Sequence, residues 1–482
     1  MANKQPWPPE KWQAKYRKFS EHSAWYSGSR NKLMQHYSIK GDPTDGAGDF
    51  WGQNLKPNQS KTMVHVPVAG DIAGVSADLV LGAHPDFQIP EAHQEEAESG
   101  AKDEQDRLNE IVKKTDMYSR LVEASEVAAS LGGSFLKVNW KTEFKDFPVL
   151  SVAHPDHAIP YWKWGFLQKV IFHKVVKKDR RDVYRHLEIH EPGVIRNELY
   201  LGRDNELGSS IELARLPETE DLEEEIQTGV DEILCAYMPN KLPNRLWRTS
   251  NLGQSDYQGV EDLMDSLDQV YSDWMHEIEI ARGRIIASEE YLKNAQGEWM
   301  FDMDQDVFSP ISETPGEGSG INPIQFEIRS QKYQETAIEL FDRIVTAAGY
   351  SPQSFGLSID GRAESGTALK LRTAKSERTR EKKQNYHKRA IEKALKLLMK
   401  IDAEHFNGSA EYDVAVEFDD MTEVDMKSTA DAIKALDMAG AISDEVKVRM
   451  QHPDWEEDQI REEIDRIQGE KGVKVNAPDN RV

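Results

Sequence analysis

The sequence predicts an α+β fold whose strands are largely antiparallel, and three observations carry that expectation. Five strand-length runs crowd between Phe135 and Leu201. Two long amphipathic helical patterns follow, opening at Val260 and at Ser330. A third long helical pattern, opening after Ser365, is strongly basic where the rest of the chain is acidic. Short links between the strands favour an antiparallel arrangement within this mixed fold.

Residues 9–26 are expected to form an amphipathic helix, since Trp12, Tyr16 and Phe19 recur at helical spacing and Pro9 suits a first turn. Residues 41–59, rich in Gly, Pro, Asp and Asn, read as a loop. A helix from about Glu104 to Leu131 carries Leu108, Ile111, Leu121 and Val127 on one stripe, and Gly132-Gly133 close it. The strands come next, at 135–140, 149–153, 169–176, 183–190 and 194–201. Pro192-Gly193 joins the last two as a hairpin, and the short links predict an antiparallel meander. A Glu-rich connector spans 203–229, and Ile233 to Met238 gives one more strand.

From Val260, the residues Met264, Leu267, Tyr271, Trp274 and Ile278 hold the 3.6-residue period, while Glu261, Asp262, Asp265 and Asp268 fill the other faces. About 25 residues at 1.5 Å each make a rod of roughly 37 Å. Ser330 can cap a second rod, Tyr333, Ala337, Phe341, Ile344 and Val345 form its stripe, and Gly349 stops it. The segment between the rods is acidic, with a strand at 324–328 and a turn at 315–320, so the rods are expected to hold a small β-rich tip.

A flexible segment, Tyr350 to Glu364, leads into a helix lasting to about Phe406. Between Arg362 and Lys400 there are 13 Lys and Arg against 4 acids. From Lys375 to Lys388 the only large apolar side chain is Tyr386, so this part is expected to be solvated, to touch another subunit or to face polymer phosphate. Beyond Asn407 lie a strand at 414–418, a helix at 425–438 and acidic helices around Val446 and Ile460.

Composition removes several functions. With 60 Lys and Arg against 85 Asp and Glu the net charge is −25, which argues against gripping nucleic acid or anionic membrane over the general surface. One cysteine, Cys235, excludes a disulfide framework and Cys-rich metal sites, and its apolar strand suggests a small buried hydrophobe. Met1 to Glu10 has no signal-peptide character and no window reaches 18 apolar residues, so a soluble, unexported protein is expected. Asp302, Asp304 and Asp306 with Glu313 copy part of a calcium-loop spacing, but Val307 stands where the turn needs glycine. His154 and His157 offer two imidazoles without a third ligand at a recognisable spacing. No phosphate loop or nucleophile elbow exists, so no enzyme, cofactor or metal is expected.

The order of parts resembles the portal proteins of tailed bacteriophages with long non-contractile tails. The resemblance rests on Gly259-Val260-Glu261-Asp262-Leu263-Met264-Asp265-Ser266-Leu267, Trp274, Arg284-Ile285-Ile286 and Glu289-Glu290-Tyr291-Leu292. It continues in Ala348-Gly349-Tyr350-Ser351-Pro352, Phe355-Gly356, Ser365-Gly366-Thr367-Ala368-Leu369-Lys370 and Gly440-Ala441-Ile442-Ser443. It implies a homo-oligomeric ring, with twelve subunits expected, at one capsid vertex. Double-stranded DNA would pass through it in packaging and ejection, with a terminase motor, head-completion adaptors, and capsid and scaffolding proteins as partners, assembled in the host cytoplasm.

By position, the resemblance implies a mixed wing with antiparallel sheet at 1–258, stem helices at 259–283 and 330–349, and a small β-rich clip at 284–329. A tunnel loop would follow at 350–366, a long basic wing helix at 367–407 and a helical crown at 408–482. Phe355, Ile359, Asp360, Arg362 and Glu364 would belong to the channel loop. Glu289, Glu290, Glu298, Asp302, Asp304 and Asp306 would form the clip docking surface, and Arg372, Lys375, Arg378, Lys382 and Lys383 the basic helix face. Two rivals stand beside this reading: another virion structural protein, and a metal-dependent hydrolase using Asp302, Asp304 and Asp306 or His154 and His157.

Overall fold

Alternating apolar residues on either side of Pro192-Gly193 produce the hairpin they predict. The computed structural model describes residues 5–38, 50–52, 63–93, 99–281, 284–288, 308–311, 322–324, 328–356, 366–406, 408–418, 433–434, 438, 442–451 and 457–473. In it, β6 (Asp182–Glu191) pairs antiparallel with β7 (Val194–Arg203), and Gly193 takes the positive φ of +79° that the tight turn needs.

The expected single meander is two sheets. Strands β4 (Ala158–Lys163), β5 (Phe166–Asp179), β6, β7 and β8 (Glu206–Ile211) run side by side in that order, and β9 (Glu225–Gln227) also pairs with β7. Strands β2 (Gly133–Asn139) and β3 (Val149–Ala153) instead join β10 (Cys235–Pro239) in a separate antiparallel sheet, order β10-β2-β3. The short links were a poor guide here because β10 arrives from about 100 residues further along to cover the β2 edge.

Helix α1 (Glu10–Tyr26) lies where its aromatic stripe places it, and α2 (Arg30–Ser38) and α3 (Val68–Leu81) add to the helical layer. The helix expected over 104–131 is two, α4 (Ser99–Lys114) and α5 (Met117–Leu131). At the break, the Thr115 hydroxyl donates back to the Ile111 carbonyl at 2.7 Å and Asp116 adopts a left-handed φ of +49°, which aspartate tolerates better than most residues. Helix α5 packs on β2 and β3 and on α3, burying Leu121, Ala124 and Ala128 in the largest core.

The two rods are α6 (Glu261–Ile280) and α7 (Ser330–Ala348). They run antiparallel, since Trp274 near the end of α6 stacks on Tyr333 near the start of α7, with ring centroids 6.1 Å apart. Their other ends share a core with Trp25, Trp51, Tyr257 and Tyr350. Between the rods, β11 (Arg284–Ser288) pairs parallel with β12 (Phe308–Ile311) and antiparallel with β13 (Asn322–Ile324); residues 325–327 of the strand anticipated at 324–328 lie outside the described residues.

Helix α8 (Gly366–His405) ends within a residue of its expected limit. Strand β14 (Ala415–Glu417) pairs with β1 (Asp86–Gln88). The chain divides into two units, Met1–Arg362 with Leu371–Phe418, and Ala363–Lys370 with Asp419–Val482. In the second unit α9 (Asp444–Gln451) packs on α10 (Glu457–Val473); most of the helix expected at 425–438 lies outside the described residues.

Candidate functional site

Three carbonyls at the end of α7 find cationic or hydroxyl donors from other segments. Lys375 donates to Thr346, Lys241 to Ala348, and Thr379 Oγ1 to Gly349 at 2.6 Å. Positive charge at a helix C-terminus complements its macrodipole. Gly349 makes the exit possible, with φ +110°. The next residues are fastened to α8: Ser351 N–H donates to Ser376 Oγ at 2.8 Å, and Ser354 Oγ lies 2.7 Å from the same atom.

Beneath this junction is a closed polar cluster. Lys383 Nζ, on α8, reaches Asp256 Oδ2 at 2.6 Å, Ser76 Oγ at 2.6 Å and Tyr350 Oη at 2.8 Å. Tyr350 donates to the same Asp256 oxygen at 2.7 Å, and Asp256 Oδ1 accepts from Asn240 at 2.8 Å and pairs with Lys241 at 2.9 Å. Lys383 and Tyr350 are each 1% exposed. Burial by itself raises the Asp256 carboxyl, but the Lys241 and Lys383 ammoniums override it and hold it well below the usual carboxylate range. The same burial lowers Lys383 to about 8 against the pull of Asp256.

The expectation that 375–388 is solvated, touches another subunit or faces polymer phosphate fails for one of its faces, which is buried within the chain. Ser376, Arg380, Lys383 and His387, spaced i, i+4, i+7 and i+11, form a buried polar stripe. Lys375, Arg378 and Lys382 are exposed on a different face, and Arg372, one turn before Ser376 on the same stripe, is exposed as well. Lys383 thus parts company with the four other cations grouped with it. Phe355, from the expected channel loop, is half-buried, its ring 5.9 Å from Phe341 and 6.1 Å from Tyr350. Ile359, Asp360, Arg362 and Glu364 lie outside the described residues, as do Glu289, Glu290, Glu298, Asp302, Asp304 and Asp306.

The acids of α6 behave similarly. Glu261, Asp265 and Asp268, expected on its polar faces, are buried against the N-terminal region. Glu261 pairs with Lys18 at 2.8 Å and meets His22 at 3.2 Å. Burial raises the Glu261 carboxyl, yet the His22 bond and Lys18 outweigh it and bring it down to about 2. A carboxyl lowered on folding stabilises fully above its unfolded value of about 4.5 and loses that contribution as pH falls toward 2. Roughly 3 kcal/mol should disappear across that window. Wild type should therefore lose more stability between pH 5 and pH 2.5 than Glu261→Gln, measured by denaturant midpoints; parallel losses would contradict the assignment.

The nucleophile and metal candidates also have places. Cys235 is fully buried and its thiol is pushed up to about 12 by burial, which suits a packed hydrophobe. Asp156 supplies the third group that spacing alone did not reveal beside His154 and His157, with one ligand atom from each within 4.8 Å of the others. Asp156 and His157 face each other at 3.2 Å, and that contact raises the imidazole.

A mixed body, two antiparallel rods with a small sheet between them, and a long basic helix clamped to the rod end constitute the architecture of a phage portal subunit. The match extends along nearly the whole sequence: the family model described as "Phage portal protein, SPP1 Gp6-like" covers residues 9–475. The chain belongs to that family. No curated protein matches it. Portal proteins are structural ring components of the capsid vertex, not enzymes, and no described helix is long and apolar enough to cross a membrane.

Proposed function

We propose that twelve copies of this chain form the conduit through which double-stranded DNA enters the capsid and later leaves it, and the platform on which a terminase motor and head-completion adaptors dock. The family match over 9–475 carries the reading. The physical argument is that duplex DNA presents one negative charge per roughly 1.7 Å, so a broadly basic wall would release counterions and hold it fast. A chain of net charge −25 with its cations concentrated locally lets DNA slide instead.

In this reading residues 1–258 and 367–407 are wing, 259–283 and 330–349 stem, 284–329 clip, 350–366 tunnel loop and 408–482 crown. Arg362 meets passing phosphate while Asp360 and Glu364 limit the grip. The clip carboxylates Glu289, Glu290, Glu298, Asp302, Asp304 and Asp306 attract a basic motor or adaptor surface. Assembly takes place in the host cytoplasm, with scaffolding and major capsid proteins around the ring.

Arg362→Ala should reduce packaged DNA by roughly tenfold while rings form as in wild type, because one charge-assisted phosphate contact contributes on that order. Packaging assays on particles carrying the substitution check this. Unchanged packaging would remove Arg362 from the channel, and loss of the ring would make it an assembly residue.

A further inference from the structure

Opposite edges of the six-stranded sheet carry opposite charge in a form that does not depend on the channel. At the β4 edge, α1, β4 and the loop 246–251 enclose an open cleft of about 670 Å3. Trp12, Trp162 and Trp247 wall it, Lys11, Lys15 and Arg248 supply its charge, and none of its lining residues is acidic. Lys15 Nζ lies 4.9 Å from the Trp12 ring and 5.6 Å from the Trp247 ring, so its ammonium is held over aromatic faces at the cleft.

The other edge is formed by β8 and β9, four strand steps or about 19 Å away. Between them Glu218, Glu220, Asp221, Glu223 and Glu224 are all exposed, and no ion-pair partner for them occurs among the described residues. Their backbone is pinned from beneath. Buried Thr219 donates to the Leu213 carbonyl at 2.6 Å, and Asn197 donates through its amide side chain to Glu223 O at 2.8 Å and through its backbone N–H to Glu224 O at 2.9 Å. A segment fixed through its backbone, with its carboxylates left outward, is a preformed acidic ridge.

We propose that the cationic, tryptophan-walled cleft of one subunit receives the acidic ridge 218–224 of a second copy. A ring closes through heterologous contacts, in which each subunit offers two different surfaces, and these two surfaces differ in sign and stand on opposite sides of one rigid sheet. Self-pairing of either surface is opposed by like charge, so the arrangement sets the direction of assembly as well as its strength. The inference rests on the portal reading, since it presupposes a ring.

Charge reversal tests it. Lys11→Glu with Arg248→Glu, or Glu220→Lys with Glu224→Lys, should each raise the subunit concentration for half assembly at least tenfold at low salt. The chain bearing all four should assemble more readily than the one with the cleft pair alone, because the ridge facing the reversed cleft then carries a net charge of −1 in place of −5. Sedimentation reads the assembly. Carbodiimide cross-linking of mixed isotope-labelled and unlabelled wild type should join Lys11 or Lys15 of one copy to a carboxylate in 218–224 of another, which keeps the test decisive if a variant misfolds. Pair reversals without effect, a fourfold variant no better than the cleft pair alone, or cross-links confined to single copies would overturn the inference while leaving the ring intact. Wild type that never forms rings would overturn the portal reading itself.

Discussion

Lys383→Ala should lower the stability of the large unit by about 3–5 kcal/mol, whereas Lys382→Ala, its exposed neighbour, should change it by no more than about 0.5 kcal/mol. Removing the Lys383 ammonium leaves buried Asp256 with Lys241 as its sole cation and takes a donor from Ser76 and Tyr350. It also empties the volume of a fully buried side chain. Denaturant midpoints followed by tryptophan fluorescence separate the two variants. Equal effects would mean that the polar cluster does not hold the junction between Tyr350 and α8. Because Tyr350 opens the segment assigned to the tunnel loop, the same substitution should loosen the loop's base, seen as faster amide exchange at 351–356.

Asp268→Ala should have an effect of similar size, about 3–5 kcal/mol, for a different reason. Asp268 Oδ2 accepts from Trp51 Nε1 at 3.0 Å and His65 Nδ1 at 2.7 Å, and Oδ1 accepts from Val66 N–H at 2.8 Å. Burial raises this carboxyl and those hydrogen bonds only partly offset it, so the group depends on all three donors. Without it, three donors from the N-terminal region face an apolar side chain. Limited proteolysis should then cut within 50–66 well before wild type is cleaved there. Ser266→Ala on the exposed side of α6 should leave cleavage unchanged. If Asp268→Ala is equally resistant, the N-terminal region is held to the rod by its aromatic packing alone.

Both clusters show where sequence reading stops. The rods were legible because Met264, Leu267 and Trp274, like Ala337, Ile344 and Val345, repeat at the helical period whatever they pack against. The hairpin at Pro192-Gly193 follows from local turn chemistry, which needs no distant partner. Lys383 carries no such local mark. Its carboxylate partner lies 127 residues earlier and Ser76 lies 307 residues earlier, so its charge resembled that of its solvated neighbours. The acids of α6 were misplaced for the same reason, since Trp51, His65 and Val66 reach them from more than 200 residues away. Helix α3 was missed because Val68–Leu81 mixes glycine and alanine with apolar residues on most faces, which blurs the amphipathic period of a helix buried on several sides. The opposed charges of the sheet edges were visible only as an acidic connector until the strand order set them apart.

Single-particle imaging of the purified full-length protein tests the central claim most directly. Closed rings with an axial opening, twelve subunits around and the α6–α7 rods lying beside one another about the axis, are the predicted result. Particles that remain single subunits at every protein and salt concentration, or that stack into open filaments without an axial opening, would contradict it.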